Sequence, residues 1–223
     1  MNEQPVSTDV TLAELATRRA AASRVFRRLG LDYCCRGQRS LDAACRARGL
    51  DPEALLREIE GAAAAARKDD WSTRPLPDLI RHIVERYHEP LRRELPELLE
   101  MAWKVEQVHA DKPSAPKGLH DHLTRMHADV LDHLLKEEHV LFPLILAGHG
   151  RHAAAPVQAM EHEHKDHGRN LLRMRQLTDD LTPPAEACAT WRALYLRLAE
   201  LEADLMDHIH LENNVLFPRA LCE

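Results

Sequence analysis

The chain has 223 residues, 44% hydrophobic, only 4% aromatic and 30% charged, with a formal net charge of −6 at pH 7. That length holds one ordinary domain and a small second one, the richness in Ala, Leu, Glu and Arg suits an all-helical protein, and the negative charge argues against nucleic acid as a partner. No apolar run approaches the ~18 residues of a membrane helix, and the polar start Met1-Asn2-Glu3-Gln4-Pro5 lacks a signal pattern, so a soluble, cytoplasmic protein with no membrane partner is expected.

Thr11-Leu12-Ala13-Glu14 reads as a capping box, opening a helix that should run to Arg28 and stop at Gly30. Residues 31–37 form a turn carrying Cys34 and Cys35. Ser40 caps a short second helix ending at Gly49. Asp51-Pro52-Glu53 starts a third, with proline at its first position and acids at the positive end of the dipole. This third helix fades through the alanines at 62–66. Composition changes there too. Residues 1–68 carry 12 basic and 9 acidic side chains and no histidine, whereas 69–223 carry 18 and 27 and all fifteen histidines. A boundary near 62–71 therefore divides a small helical domain, 1–68, from a main domain, 69–223.

In the main domain four long helices are expected, at 76–108 with kinks at Pro90 and Pro96, at 119–147 with a bend near Pro143, at 153–180 and at 185–217. Loops containing Pro or Gly separate them. Four long helices with short connections make an up-down-up-down antiparallel bundle.

One stretch of this domain occurs twice. His133-Leu134-Leu135-Lys136-Glu137-Glu138-His139-Val140-Leu141-Phe142-Pro143 returns 75 residues later as His208-Ile209-His210-Leu211-Glu212-Asn213-Asn214-Val215-Leu216-Phe217-Pro218. Each copy has a His, a Glu four residues on, and Val-Leu-Phe-Pro in the same register. Positions i and i+4 share a helix face, so each copy points an imidazole and a carboxylate the same way. Those ligand types suit divalent transition metals. Val-Leu-Phe-Pro alone is core plus a helix stop, but burying His and Glu together without a metal is expensive.

A bundle-core site draws on all four helices. His88 plus the 75-residue offset falls one short of His164, and each precedes one copy of the repeat. The candidate ligands are therefore His88, His133, Glu137, His164, His208 and Glu212, with His162 the rival to His164. Two metals with two His each and both Glu bridging, completed by a bridging oxide or hydroxide, would use the whole set. With no thiolate in the motif, iron is the first choice and manganese the second.

These residues, with Arg86-Tyr87-His88, His109-Ala110-Asp111-Lys112-Pro113-Ser114, Asp204-Leu205-Met206-Asp207-His208 and Asp32-Tyr33-Cys34-Cys35-x-Gly37, give the chain a close resemblance to the hemerythrin-like superfamily. More narrowly it resembles the di-iron repair-of-iron-centres family (YtfE/ScdA/NorA type), over nearly its whole length. The resemblance implies a hemerythrin-like four-helix bundle preceded by an ScdA N-terminal-like domain. It also implies two non-haem iron ions, a reaction with NO, release of iron, and a part in restoring iron–sulfur clusters damaged by nitrosative or oxidative stress. Partners would be NO or O2 as small ligand and damaged iron–sulfur proteins, with the chain a monomer or homodimer. Met160 stands where oxygen-carrying hemerythrins place a second His four residues before His164, and Glu212 follows His208 by four residues, not five. Both departures favour the repair family over an oxygen carrier. NO reduction at the di-iron centre and iron donation are both left open, beside the alternative of an O2 or NO sensor or carrier without turnover. Glu163 and Asp129 are candidate hydrogen-bond partners of the ligands, or else ordinary surface acids.

The five cysteines are irregularly spaced and no disulfide framework is expected. Cys34 and Cys35 are adjacent, and Cα atoms ~3.8 Å apart lie below the usual disulfide span, so a bond between them would be easily reduced. Arg36 should favour thiolate character. Redox exchange, iron transfer and docking to a damaged cluster protein are the candidate roles. The plain alternative is one buried Cys and one incidental neighbour.

Overall fold

A computed structural model describes residues 7–62 and 71–222. Its regular structure is helical apart from one isolated bridge between Thr11 and Ser40. The contacts divide the chain into two units: residues up to Pro75 together with Met206–Arg219, and Leu76–Leu205 together with the residues from Ala220 on. The expected boundary at 62–71 and the fading of the third helix fall largely on residues 63–70, outside the described residues.

The first unit begins with α1 (Leu12–Arg18) and α2 (Ala20–Arg28). The capping box is complete: Thr11 N–H donates to Glu14 Oε2 at 3.0 Å and Glu14 N–H to Thr11 Oγ1 at 3.1 Å. The single helix expected here is instead broken at Arg19, whose backbone is extended (φ −130°, ψ 108°); no glycine or proline marks the break. α2 ends as its glycine requires. Gly30 takes φ +63°, and the N–H groups of Gly30 and Leu31 close back on the carbonyls of Arg27 and Phe26. α3 (Leu41–Arg46) starts at Ser40, whose hydroxyl accepts from Ala43 N–H, and α4 (Pro52–Ala62) starts at its proline. Leu12, Leu15, Phe26, Tyr33, Leu41 and Ile59 form the core of this small domain, and Met206 packs against it.

Four long helices from residue 76 form the bundle. α5 comprises Leu76–Ile83, a π turn at Val84–His88, and Glu89–Val108. α6 comprises Leu119–Lys136, a π turn at Glu137–Leu141, and Phe142–Leu146. α7 is Ala154–Leu177. α8 comprises Ala189–Leu211, a π turn at Glu212–Leu216, and Phe217–Cys222.

The bends expected at Pro90 and Pro143 are these π turns, and Pro218 has one as well. In each, the residue before the proline (Glu89, Phe142, Phe217) donates its N–H to the carbonyl five residues back (Val84, Glu137, Glu212). A proline ring clashes with the carbonyl four residues before it and offers no N–H; widening the preceding turn removes the clash. Pro96 was expected to kink its helix, but Glu89–Val108 runs through it uninterrupted. α7 stops at Leu177, short of the expected 180, because Asp179, Asp180 and Leu181 turn left-handed at φ 47°, 56° and 59°. α8 starts later and ends later than the expected 185–217. No helix of the described residues is long and apolar enough to cross a membrane.

Candidate metal centre

Within Leu76–Leu205, π turns set two of the candidate ligands: His88 closes the turn of α5 and Glu137 opens that of α6. His88, Glu137, His133 and His164 are all buried. The Glu137 carboxylate lies between two imidazoles, Oε2 at 3.5 Å from His88 Nε2 and Oε1 at 3.4 Å from His133 Nε2. Neither oxygen accepts a hydrogen bond. On the far side, His164 Nε2 approaches His133 Nε2 to 3.1 Å, and one ligand atom from each of His133, Glu137 and His164 falls within a 4.8 Å group.

The outer nitrogens explain which atoms face inward. His88 Nδ1 donates to Glu138 Oε1 at 2.7 Å, and His133 Nδ1 donates to Glu163 Oε2 at 2.9 Å. A carboxylate accepts only, so the proton of each neutral imidazole sits on Nδ1 and the lone pair on Nε2. Both lone pairs then face an unprotected carboxylate. Acceptor against acceptor in a dry interior is unfavourable, and a divalent cation between them removes the conflict.

The two outer carboxylates are themselves held. Arg92 reaches Glu138 at 2.8 Å and Lys136 reaches Glu163 at 2.6 Å. The Glu138 carboxyl is lowered to about 2, first by the His88 hydrogen bond and then, against burial, by Arg92. At Glu163 burial pushes the carboxyl up, but the Lys136 ammonium and the His133 ring outweigh it and hold it below the ordinary range.

In the other unit His208 and Glu212 are buried and repeat the i, i+4 pairing, with His208 Nε2 at 2.9 Å from Glu212 Oε1. Their chain neighbours hold the cysteine turn. Asp207 accepts from the Tyr33 hydroxyl at 2.8 Å and pairs with Arg27 at 3.3 Å. The Asn213 amide donates to the Cys34 carbonyl at 3.0 Å, and the Asn214 amide to the carbonyls of Tyr33 and Cys34 at 3.3 and 3.2 Å. His210 joins this network: its Nδ1 accepts from Asn214, and its Nε2 donates to Thr17 Oγ1, whose own hydroxyl donates to the Ala13 carbonyl. The Cys34 and Cys35 sulfurs lie 3.6 Å apart, not joined by a disulfide bond. The Cys34 thiol is pushed well above its ordinary range by the Cys35 sulfur beside it, by burial and by Asp32. The thiolate character expected from Arg36 is thus overridden at Cys34.

His162, the rival to His164, is 74% exposed and points at Asp166. Asp129 accepts from Asn170 at 3.4 Å rather than from His133; Glu163 occupies that place. Sequence reasoning gave no role to Glu138, Arg92 or Lys136. The signals were the doublet Glu137-Glu138 and an arginine one turn after His88, each of which reads equally well as a solvated helix face.

A carboxylate shared between imidazoles on neighbouring bundle helices defines a class, the hemerythrin-type cation-binding proteins, and residues 79–220 match the family described as the Hemerythrin HHE cation binding domain. Residues 8–63 match a second family, ScdA_N, described as a domain of unknown function. Iron-sulfur cluster repair protein YtfE from Citrobacter koseri, from Escherichia coli O8 and from Shigella boydii serotype 4 are each 48% identical to this chain over 213 residues, 96% of its length and 97% of theirs. The chain belongs to the YtfE/ScdA family.

Proposed function

We propose that this protein takes part in the cytoplasmic repair of iron–sulfur clusters damaged by nitrosative or oxidative stress, and that it does so with a di-iron centre. His88, His133, His164 and His208 would hold the two ions, two imidazoles to each, and Glu137 and Glu212 would span both. The observation that carries this reading is Glu137, a fully buried carboxylate with one bare oxygen toward each of two imidazole lone pairs. A carboxylate bridging two like-charged cations reduces their repulsion, which a single-metal reading leaves unexplained.

When bound, the irons supply redox chemistry and a position for NO or O2, since a nitrogen and oxygen ligand set of this size leaves them unsaturated. The chain's own residues do the rest. Glu138 and Glu163 keep the Nδ1 protons in place and so keep the Nε2 lone pairs directed inward. Arg92 and Lys136 balance the charge of those two carboxylates. Damaged iron–sulfur proteins are the partners this reading requires, with the domain at 1–68 and the domain at 69–223 as its working parts.

Metal analysis of the native protein tests the reading. Two irons per chain with the near-ultraviolet absorption of a bridged ferric pair are expected, and His164→Ala should lose at least one iron. Zinc in a closed site, or an unchanged iron content in His164→Ala, would overturn it. Anaerobic addition of NO then separates the modes of action: N2O formed over many turnovers marks an enzyme, stoichiometric binding marks a carrier, and activation of an apo iron–sulfur protein marks an iron donor.

A further inference from the structure

We propose that Asp32, Cys34 and Cys35 form a site for a single thiophilic divalent cation, built on sulfur and oxygen rather than on the histidines of the bundle. One ligand atom from each of these residues lies within a 4.8 Å group. The spacing fits a tetrahedral ion. Metal–sulfur bonds of about 2.3 Å place two sulfurs of a tetrahedron about 3.7 Å apart, and replacing one sulfur by a carboxylate oxygen shortens that edge to about 3.5 Å. The Cys34 and Cys35 sulfurs are 3.6 Å apart, and the Cys34 sulfur is 3.4 Å from Asp32 Oδ1.

The turn is held in this shape before any ion arrives. Asp32 Oδ1 accepts from the backbone N–H of Cys35 at 2.9 Å and of Arg36 at 3.3 Å, which fixes the carboxylate against the thiols. The amides of Asn213 and Asn214 hold the carbonyls of Tyr33 and Cys34. Gly37 seals the turn, since a Cβ there would lie 2.4 Å from the Tyr33 carbonyl oxygen and 2.8 Å from Ala13 Cβ. Ligands whose positions are fixed in advance lose little entropy on binding. Cys34 is buried and Cys35 half-buried, so the pair is open to solvent at one edge, and a fourth ligand can enter there.

Binding exchanges ions for protons: two thiols release two protons to solvent as two metal–sulfur bonds form, with no change of oxidation state. Affinity therefore rises with pH. That the cation is ferrous iron in passage rests on the repair reading above; the site itself does not.

The test is an anaerobic titration of the reduced, iron-loaded, full-length chain with Co(II). One further equivalent should bind, with a sulfur-to-cobalt charge-transfer band in the near ultraviolet and tetrahedral ligand-field bands in the visible, and Zn(II) should displace it. Cys34→Ser/Cys35→Ser should abolish the bands without changing the iron content. Cys35→Ser, at the half-buried position, should about halve the charge-transfer intensity. Asp32→Asn, which can still accept the backbone hydrogen bonds, should weaken binding about tenfold. His164→Ala should keep the sulfur bands while losing iron, so that failure of one reading does not entail failure of the other. Absence of sulfur bands, or their survival in Cys34→Ser/Cys35→Ser, would overturn the proposal.

Discussion

A buried carboxylate that accepts no hydrogen bond raises the energy of the fold unless a cation compensates it. Glu137 is such a group, so it should weaken the metal-free protein and strengthen the loaded one. In the presence of chelator, Glu137→Gln is expected to gain about 1–3 kcal/mol in chemical denaturation relative to the native sequence. With iron supplied, the same variant should bind fewer than two irons and lose the stabilisation that bound metal confers. Its neighbour Glu138 gives a separate handle through pH. Its folded-state value of about 2 lies below the ordinary 4.5, so the stability it contributes is present above 4.5 and is lost as the pH falls toward 2. The stability difference between the metal-free native chain and Glu138→Gln should therefore be largest near neutrality and shrink through that window in urea melts taken at stepped pH. Only part of this was legible in advance. The repeat exposed His133, Glu137, His208 and Glu212 because duplication prints a motif twice. Glu163 and Asp129 were indistinguishable on the page, both acids on helices near a ligand, and only the packing of α6 against α7 selects Glu163 for the His133 ring.

Local chemistry wrote most of the helices plainly. The Thr11 box, the Ser40 cap, Pro52 at a helix start and Gly30 at a helix end each act within a few residues, and each lies where its own stereochemistry places it. The break at Arg19 has no such local cause and could not be read. The π turns fall between. Pro90 and Pro143 announced a disturbance, but whether a proline kinks a helix, passes through it as Pro96 does, or widens the turn before it depends on what the surrounding helices require. Here the widened turns coincide with His88, Glu137 and Glu212, so the extra residue sets which way a ligand faces. Pro143→Ala restores an N–H and removes the ring, allowing Glu137–Leu141 to tighten to an ordinary α turn. Far-ultraviolet circular dichroism should hardly change, while chelator should remove iron about tenfold faster than from the native chain.

At the scale of the whole molecule, composition already divides the labour. Residues 1–68 have two adjacent thiols and no histidine, and the remainder has all fifteen histidines. The residues up to Pro75 form one compact unit with Met206–Arg219. Met206 packs on its core, Asp207 takes the Tyr33 hydroxyl, and Asn213 and Asn214 take the carbonyls at the cysteine turn. A domain of about 60 residues is marginal even when complete, and each buried polar group left without its partner costs about 1–3 kcal/mol. Residues 1–68 made alone should therefore melt without a cooperative transition. In the full chain Asn213→Ala/Asn214→Ala should raise amide exchange at residues 33–37 and leave α3 and α4 protected. A cooperative melt of the fragment would mean that the thiol turn keeps its shape without the segment bearing His208 and Glu212. Non-cooperative melting would mean that the fold of the turn depends on the same stretch of chain that carries two of the candidate iron ligands, tying the state of the metal ligands to the shape of the thiol site.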